Sequence, residues 1–190
     1  MVRDAVNKMD RLGVLSLLRR HAGRCCDAHE GAMTASTISF VEATPNCFLR
    51  SQLDGHLTGS AWIVDPTQTK VLLTHHNKLN KWVQLGGHAD GDPDLWNVAQ
   101  REAREESGLT RWRMRTTEIF DVDLHIIPTI NGVAQHYHYD LRFLFEADPS
   151  EPLVLSSESK DLAWVPLHQV ENLSSEGSIA RMVRKTLSLA

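Results

Sequence analysis

One long helical pattern, residues 93–107, lies between short β-like segments and most restricts the folds open to this chain. The sequence Asp92-Pro93 before it predicts an N-cap followed by proline at the first helical position. Gly108 predicts a left-handed residue at its end. Its apolar residues form one stripe at helical spacing: Leu95, Val98, Ala99 and Ala103. A helix with one apolar stripe is expected to pack on a sheet.

The β-like segments lie on both sides of this helix. Residues 57–64 and 70–75 precede it and are separated by the turn sequence Asp-Pro-Thr-Gln. Residues 112–125 and 135–146 follow it, joined through Asn131-Gly132, the strongest hairpin signal in the chain. Residues 162–165 are a candidate last strand and residues 177–189 a closing helix. This order predicts an α/β fold, a helix–sheet–helix sandwich around a mixed sheet.

Two helical stretches precede the strands. Residues 4–22 carry apolar side chains at intervals of three or four, namely Val6, Met9, Leu12, Leu15 and Leu18. A second stretch, residues 32–43, ends before Pro45. Because this region has no chemical signature, we predict an N-terminal helical extension over residues 1–54. It is expected to pack on a main domain of residues 55–190, in preference to forming a separate binding module.

The composition excludes several classes of protein. Lys and Arg number 20 against 24 Asp and Glu, and the formal charge of -4 argues against stable nucleic-acid binding through bulk electrostatics. No apolar run reaches the roughly 18 residues that span a bilayer, so no membrane association is expected. Arg19 and Arg20 follow the apolar patch of residues 12–18 where a signal peptide would be cleaved. Three cysteines without a C-x-x-C pair fit a reducing compartment, and we expect a cytoplasmic protein.

Three glutamates near the end of the predicted helix carry the chemical signal. Glu102, Glu105 and Glu106 are spaced by three and four residues, so they share one face. They lie at the negative end of the helix dipole, where each acidic side chain costs about 0.3–1 kcal/mol. Arg101 can pair with Glu105 but leaves most of the repulsion in place. A hard divalent cation, Mg²⁺ or Mn²⁺, would relieve it; a solvated acidic face is the alternative that spacing alone leaves open.

The spacing of the whole segment is more specific than the glutamates alone. It resembles the Nudix box, whose consensus is G-x5-E-x7-R-E-U-x-E-E-x-G-U with U apolar. The residues that match in register are Gly87, Arg101, Glu102, Ala103, Glu105, Glu106, Gly108 and Leu109. The order of strands and helices over roughly residues 56–190 is also similar to that family.

The resemblance implies a hydrolase that cleaves a nucleoside diphosphate linked to another moiety, with Mg²⁺ or Mn²⁺ as cofactor. It implies that Glu102, Glu105 and Glu106 are metal ligands. It also implies a catalytic role for Glu105 and Glu106, with Arg101 orienting the carboxylates. Its expected partner is a nucleotide-type small molecule, and we allow for a homodimer.

One position departs from the consensus. Pro93 stands where the box has its first glutamate, with Asp92 and Asp94 on either side. Asp92 either replaces that glutamate through a shifted backbone or only caps the helix, and we favour capping.

A further carboxylate is often needed to position or deprotonate the attacking water in such chemistry. Glu158 lies in a polar loop, residues 156–160, just before the apolar residues 162–165. It is our candidate for this catalytic role, and a surface glutamate without a role is the equal alternative.

Basic and aromatic residues provide candidate substrate contacts. Lys78, Lys81 and Arg142 can neutralise phosphates, and Trp82 and Tyr137 can stack on a base; each also has a core or surface alternative. Of these we select Lys78, Trp82 and Arg142 as substrate-binding residues.

Histidines cluster at several places in the sequence. His88 directly follows the glycine pair of the box, and we select it as a substrate-binding residue. His136 and His138 alternate along a strand and so share one face. These histidines can contact phosphate or a second metal ion, but for His136 and His138 we favour a polar face that ligates nothing.

Two other functions are compatible with the same fold. An isomerase acting on an isoprenoid diphosphate would need a cysteine beside the site, but Cys25, Cys26 and Cys47 all precede the motif by a long way. A non-catalytic nucleotide sensor would have little need of the complete set of glutamates. A metal-dependent pyrophosphohydrolase is therefore the leading hypothesis.

Overall fold

The computed structural model describes residues 10–25, 27–129 and 132–189. Its central strand lies between two apolar cores, one on each face of the sheet. The strand β1 (Gly55–Val64) is buried along its whole length. Leu57, Ala61 and Ile63 point into one apolar core, whereas Trp62 and Val64 point into a second. A strand that is buried on both faces requires helices on both sides of its sheet.

The other elements follow along the chain. The helices are α1 (Arg11–Ala22), α2 (Ala28–Ala43), α3 (Leu95–Ser107), α4 (Val170–Leu173) and α5 (Gly177–Leu187), with a 3₁₀ turn at Leu167–Gln169 before α4. The strands after β1 are β2 (Lys70–His76), β3 (Lys81–Val83), β4 (Leu85–His88), β5 (Trp112–Met114), β6 (Asp121–Ile127), β7 (His136–Ala147) and β8 (Ser159–Pro166).

The eight strands form one mixed sheet. The central pair, β1 and β7, is parallel, while β4 and β2 pair antiparallel with successive parts of β1. β7 also pairs antiparallel with β5 and β6, and β2 pairs with β3 and β8. The predicted α/β sandwich with a mixed sheet is confirmed.

The N-terminal helices share an apolar core with the sheet. Val14 and Leu18 of α1 and Val41 of α2 are fully buried in the same cluster as Leu57 and Val98. α1 and α2 therefore contribute to the core on the α3 side of the sheet. The domain boundary at residue 54 stays a prediction. No described helix is long and apolar enough to cross a membrane.

Some predictions fall outside the described residues. Val6 and Met9 of the first predicted helix, Cys26, and Asn131 of the predicted hairpin are among them. The two strands that the hairpin joins do pair antiparallel, from Asp121 opposite Arg142 to Ile127 opposite His136.

The structure divides one predicted strand. Residues 112–125 form two strands, β5 and β6, separated by a polar turn in which the Glu118 amide donates to the Thr116 hydroxyl. The short strands β3 and β4 were not predicted, because three or four residues give little periodicity.

The start of α3 also differs from the prediction. The N-cap is Asp94, whose carboxylate accepts from the Asn97 amide at 3.1 Å. Asp92 instead accepts from the Asp94 amide at 2.9 Å and lies 4.0 Å from Arg101. The prediction that Asp92 is the N-cap is therefore wrong, because the helix begins two residues later than Pro93.

Candidate active site

The apolar stripe of α3 determines where its glutamates lie. Leu95, Val98, Ala99 and Ala103 pack into the sheet with almost no exposure, as predicted. Glu106, three residues after Ala103, is consequently only 8% exposed. Glu102 is partly buried, and Glu105 points to solvent. The three carboxylates thus extend from the protein interior to its surface.

A close approach between β4 and α3 encloses two of these glutamates. A Cβ atom at Gly87 would lie 2.4 Å from the carboxylate of Glu102, so a larger residue there would displace the Glu102 side chain. The backbone amide of Gly86 donates a hydrogen bond to Glu106. The glycine pair therefore brings the backbone of β4 against the acidic face of α3.

Glu158 lies beside the same acidic group. It is exposed in the turn before β8, and its backbone carbonyl accepts from the Asn77 amide at 2.9 Å. Its charge is close enough to raise the pKa of both Glu102 and Glu106. We refer to Glu102, Glu105, Glu106 and Glu158 as the carboxylate site.

Two carboxyl groups of the carboxylate site, those of Glu102 and Glu106, have raised pKa values. Burial raises the pKa of Glu106 to about 8, against a hydrogen bond from Gly86, and the charges of the other three glutamates add to the effect. Burial also raises the pKa of Glu102, with Arg101 opposing it and the charges of Glu105 and Glu158 adding to it. Carboxylates whose negative charge is not balanced by nearby cations are common at functional sites.

Arg101 is a cation in direct contact with the carboxylate site, and it joins α3 to β4. Its Nη2 donates to Glu102 Oε1 at 2.9 Å and to the carbonyl of His88 at 3.2 Å. The structure thus pairs Arg101 with Glu102, not with Glu105 as helical spacing suggested. This contact suits the predicted role of Arg101 in orienting a carboxylate, which stays a prediction.

Comparison with known proteins assigns the chain to a family. The sequence profile of the NUDIX domain matches residues 56–185, more than half of the chain. This chain belongs to the Nudix family. It is a Nudix enzyme of the class that hydrolyses diphosphate linkages. No curated protein sequence matches it significantly.

Solved structures share the Nudix fold at low sequence identity. A Caenorhabditis elegans Ap4A hydrolase in a binary complex is 17% identical with a TM-score of 0.57, covering 70% of this chain and 96% of its own. The Escherichia coli dihydroneopterin triphosphate pyrophosphohydrolase is 14% identical with a TM-score of 0.55, covering 70% and 96%. A NUDIX-family hydrolase from Clostridium perfringens is 23% identical with a TM-score of 0.53, covering 71% and 98%. These likenesses concern the fold.

The donor set of the carboxylate site fits the divalent cation that Nudix hydrolases generally use. All four side chains offer oxygen, which Mg²⁺ and Mn²⁺ prefer. Arg101 contacts Glu102, and the raised pKa values show that it does not balance the group. Glu102, Glu105 and Glu106 are the residues that would hold the ion.

The predicted substrate contacts lie in different surroundings. Lys78 is exposed in the turn between β2 and β3, and its charge, like that of Glu158, acts on His76. Trp82 is half-buried: its ring stacks on His75 at 5.2 Å and packs against the core beneath α5. Lys78 is thus free to meet a phosphate, whereas part of the Trp82 ring is already covered.

The structure contradicts the substrate-binding role predicted for Arg142. Its guanidinium is buried and bound to three aspartates, with Nε 2.7 Å from Asp140, Nη1 3.2 Å from Asp121 and Nη2 3.1 Å from Asp123. Burial opposes the charge, but these aspartates raise the pKa of Arg142 above its ordinary value. Each of the three guanidinium nitrogens contacts an aspartate, so the group is not available to bind a substrate.

Arg142 belongs to a larger set of paired charges between the sheet and α5. Arg181 binds Asp121 and Asp123, and Lys185 joins Asp121 to Glu30 of α2. We call this set the buried ion network; its members are Glu30, Asp121, Asp123, Asp140, Arg142, Arg181 and Lys185.

His88 lies in a histidine cluster that sequence reasoning identified only in part. Its ring is 4.9 Å from that of His138 and 5.0 Å from that of His56. Burial, with the charge of Arg50 second, lowers the pKa of His88 to about 4, so the ring is neutral near pH 7. His56 and His125 also belong to the cluster. The strand register that aligns them could not be read from the sequence.

Proposed function

We propose that this Nudix enzyme hydrolyses a nucleoside diphosphate linked to a second moiety, with Mg²⁺ or Mn²⁺ as cofactor. The observation that carries the proposal is the convergence of four carboxylates: Glu102, Glu105 and Glu106 at the end of α3, and Glu158 in the turn before β8, with the pKa values of Glu102 and Glu106 raised. Such a group repels itself unless a cation is present, and an anionic substrate can approach it only with that cation.

Each side chain of the carboxylate site then has a role. Glu102, Glu105 and Glu106 hold the cation, and Arg101 keeps Glu102 in position through its 2.9 Å contact. The bound cation supplies charge that stabilises the phosphate oxygens as the P–O bond breaks. Glu158, exposed beside them, accepts the proton of the attacking water.

The reaction itself needs no further reactant. The oxygen of a water molecule attacks one phosphorus of the diphosphate, and the P–O bond of the anhydride breaks. One proton of the water leaves through Glu158, and two phosphate-bearing products result. We propose that Lys78, whose charge acts on His76 together with that of Glu158, neutralises a substrate phosphate.

The choice of a linked nucleotide as the proposed substrate follows one structural neighbour, the Ap4A hydrolase. Another neighbour is a dihydroneopterin triphosphate pyrophosphohydrolase. The geometry does not support the predicted contact of His88 with substrate, because its ring packs against His56 and His138 on the face of β4 opposite Gly87, which faces Glu102. We also propose that a base stacks on the part of the Trp82 ring that His75 leaves uncovered.

A substrate screen tests this proposal. Dinucleoside polyphosphates, ADP-ribose and related nucleoside diphosphate sugars, and nucleoside triphosphates are each incubated with Mg²⁺, and the phosphate products are resolved by ³¹P NMR. We expect at least one linked nucleoside diphosphate to be cleaved, with loss of turnover in chelator and in Glu105→Gln. Cleavage that persists in chelator would contradict the proposal. Tight binding of a nucleotide without cleavage would favour the sensor hypothesis instead.

A further inference from the structure

Five histidines from four strands meet on the α5 side of the sheet. His56 of β1 lies opposite His138 of β7, which lies opposite His125 of β6. His136 precedes His138 by two residues and shares its face, and His88 of β4 pairs beside β1. The ring of His138 lies between 4.9 and 5.5 Å from those of the other four. The imidazoles thus form one contiguous group.

Hydrogen bonds at the edge of the cluster fix where two of the rings carry their protons. His136 Nδ1 lies 2.8 Å from the carbonyl of Ala134, which can only accept, so Nδ1 carries the proton. A ring protonated at Nδ1 alone presents a lone pair at Nε2, which lies 3.2 Å from Nε2 of His138. His125 Nδ1 likewise donates to Asp123 at 3.0 Å. Metal-binding histidines are usually oriented by such contacts at the outer nitrogen.

His56 is the member of the cluster whose two ring nitrogens are buried without a hydrogen bond of ordinary geometry within the described residues. It is 4% exposed, and the backbone of Gln52 is the polar group that acts on the ring and opposes the lowering of its pKa by burial. Buried polar groups are rarely left without a partner.

We propose that His56, His136 and His138 form a binding site for a divalent transition metal ion of the Zn²⁺ type. One nitrogen from each ring lies within 4.8 Å of the others. Two nitrogens about 2.0–2.1 Å from a tetrahedral Zn²⁺ are about 3.4 Å apart, and the 3.2 Å between His136 and His138 is already close to this. Three protein ligands leave a fourth position open for water or an anion.

Nearby carboxylates are engaged elsewhere, so this site is composed of nitrogen donors. Asp140 accepts from Thr58, Ser60, Gln84 and Arg142. Neutral imidazole suits Zn²⁺, whereas Mg²⁺ prefers oxygen ligands. The two proposed metal sites should therefore select different ions.

The histidine site and the carboxylate site lie on opposite faces of β4 and share no side chain. Side chains alternate along β4: Gly87 faces Glu102, whereas the neighbouring Gly86 faces Ser60 on the opposite side. His88 shares that opposite face. The proposal consequently does not depend on the proposed hydrolysis.

Metal titration of tag-free protein tests the site. After removal of metals with a chelator and buffer exchange, Zn²⁺ alone is titrated by calorimetry, and Co²⁺ is followed by the intense visible absorption of tetrahedral cobalt–imidazole sites. We expect one tight equivalent that millimolar Mg²⁺ does not displace. His136→Ala, at a partly exposed position, should weaken Zn²⁺ binding by more than about tenfold. The melting temperature of metal-free His136→Ala checks its folding, and His136→Gln serves as the second variant.

Two controls locate the bound ion. His168→Ala removes an exposed histidine outside the cluster and should bind Zn²⁺ like the wild type. Glu105→Gln should also retain the tight equivalent, which separates this site from the proposed function. Absence of tight Zn²⁺ binding in the wild type would overturn the proposal. So would loss of binding in Glu105→Gln with full retention in folded His136→Ala and His136→Gln.

Discussion

The buried ion network and the carboxylate site both place acidic side chains in the interior, but their charges are balanced differently. In the network, burial raises the pKa of Asp123, yet Arg142 and His125 overcome this and hold it well below its ordinary value. Glu30 behaves in the same way beside His21 and Lys185. In the carboxylate site, burial and mutual repulsion prevail, and the pKa of Glu106 rises to about 8.

This difference distinguishes structural acids from functional ones. A buried carboxylate that is paired within the fold joins elements together: Asp121, for example, holds Arg142, Arg181 and Lys185. A buried carboxylate without sufficient protein cations needs a charge from outside. Substitutions in the network should therefore affect folding, and substitutions in the carboxylate site should affect turnover.

The largest expected effect is on turnover. Glu105→Gln should lower kcat by several orders of magnitude, because a neutral amide cannot hold a cation whose charge is needed as the P–O bond breaks. Glu105 is exposed, so the melting temperature should hardly change. Steady-state kinetics and thermal melts measure both. Glu171→Gln, on the exposed face of α4, is the control. Equal kcat values for Glu105→Gln and Glu171→Gln would contradict the functional role assigned to the carboxylate site.

The next largest effect is on stability. Arg142→Met should lower the free energy of unfolding by about 3–5 kcal/mol, because it leaves aspartates buried without their cation. The exposed pair Arg19–Glu42 provides the control: Arg19→Met should cost about 1 kcal/mol or less. Urea denaturation compares the two. An Arg142→Met protein of wild-type stability that has lost substrate affinity would restore the phosphate-binding role that the structure contradicts.

The third prediction concerns pH in the absence of metal. The folded-state pKa of Glu106, about 8, lies above the ordinary value of 4.5, so folding favours the protonated form. The associated stability is present below pH 4.5 and is lost as pH rises through 8. In chelator at pH 9, Glu106→Gln should exceed the wild type by about 2–4 kcal/mol, and the difference should largely vanish at pH 5. A pH-independent difference in unfolding free energy would show that groups within the protein balance the charge of the Glu106 carboxylate.

The smallest expected effect is on the free energy of unfolding, and it concerns the N-terminal end of α3. Asp94→Ala should cost about 0.5–2 kcal/mol, because it removes the N-cap contact with the Asn97 amide. Its kcat at a permissive temperature should fall only modestly. Asp92→Ala, measured beside it, addresses the departure from the Nudix box. If that variant loses turnover while its melting temperature holds, Asp92 performs the work of the missing glutamate through its proximity to Arg101.

Features that depend on local spacing were predictable from the sequence. The acidic face of α3 follows from helical periodicity over five residues, and the family resemblance follows from one continuous segment. Arg142 was misassigned because its aspartate partners Asp121 and Asp123 lie on a paired strand. His56 was missed for the same reason, since only strand register brings it to His138. Asp92 was misassigned because the backbone turns once more before the helix begins.

Binding of Mn²⁺ to metal-free protein, followed by electron paramagnetic resonance of the free ion, tests most directly whether the carboxylate site needs an external cation. We expect the wild type to remove Mn²⁺ from solution, with or without nucleotide, and Glu106→Gln to bind it at least about tenfold more weakly, since a ligand and its charge are lost. Glu171→Gln and His136→Ala should match the wild type, because Mn²⁺ prefers oxygen ligands. Equal Mn²⁺ binding by wild type and Glu106→Gln, or none by the wild type in millimolar metal, would contradict the assignment of these glutamates as a metal site.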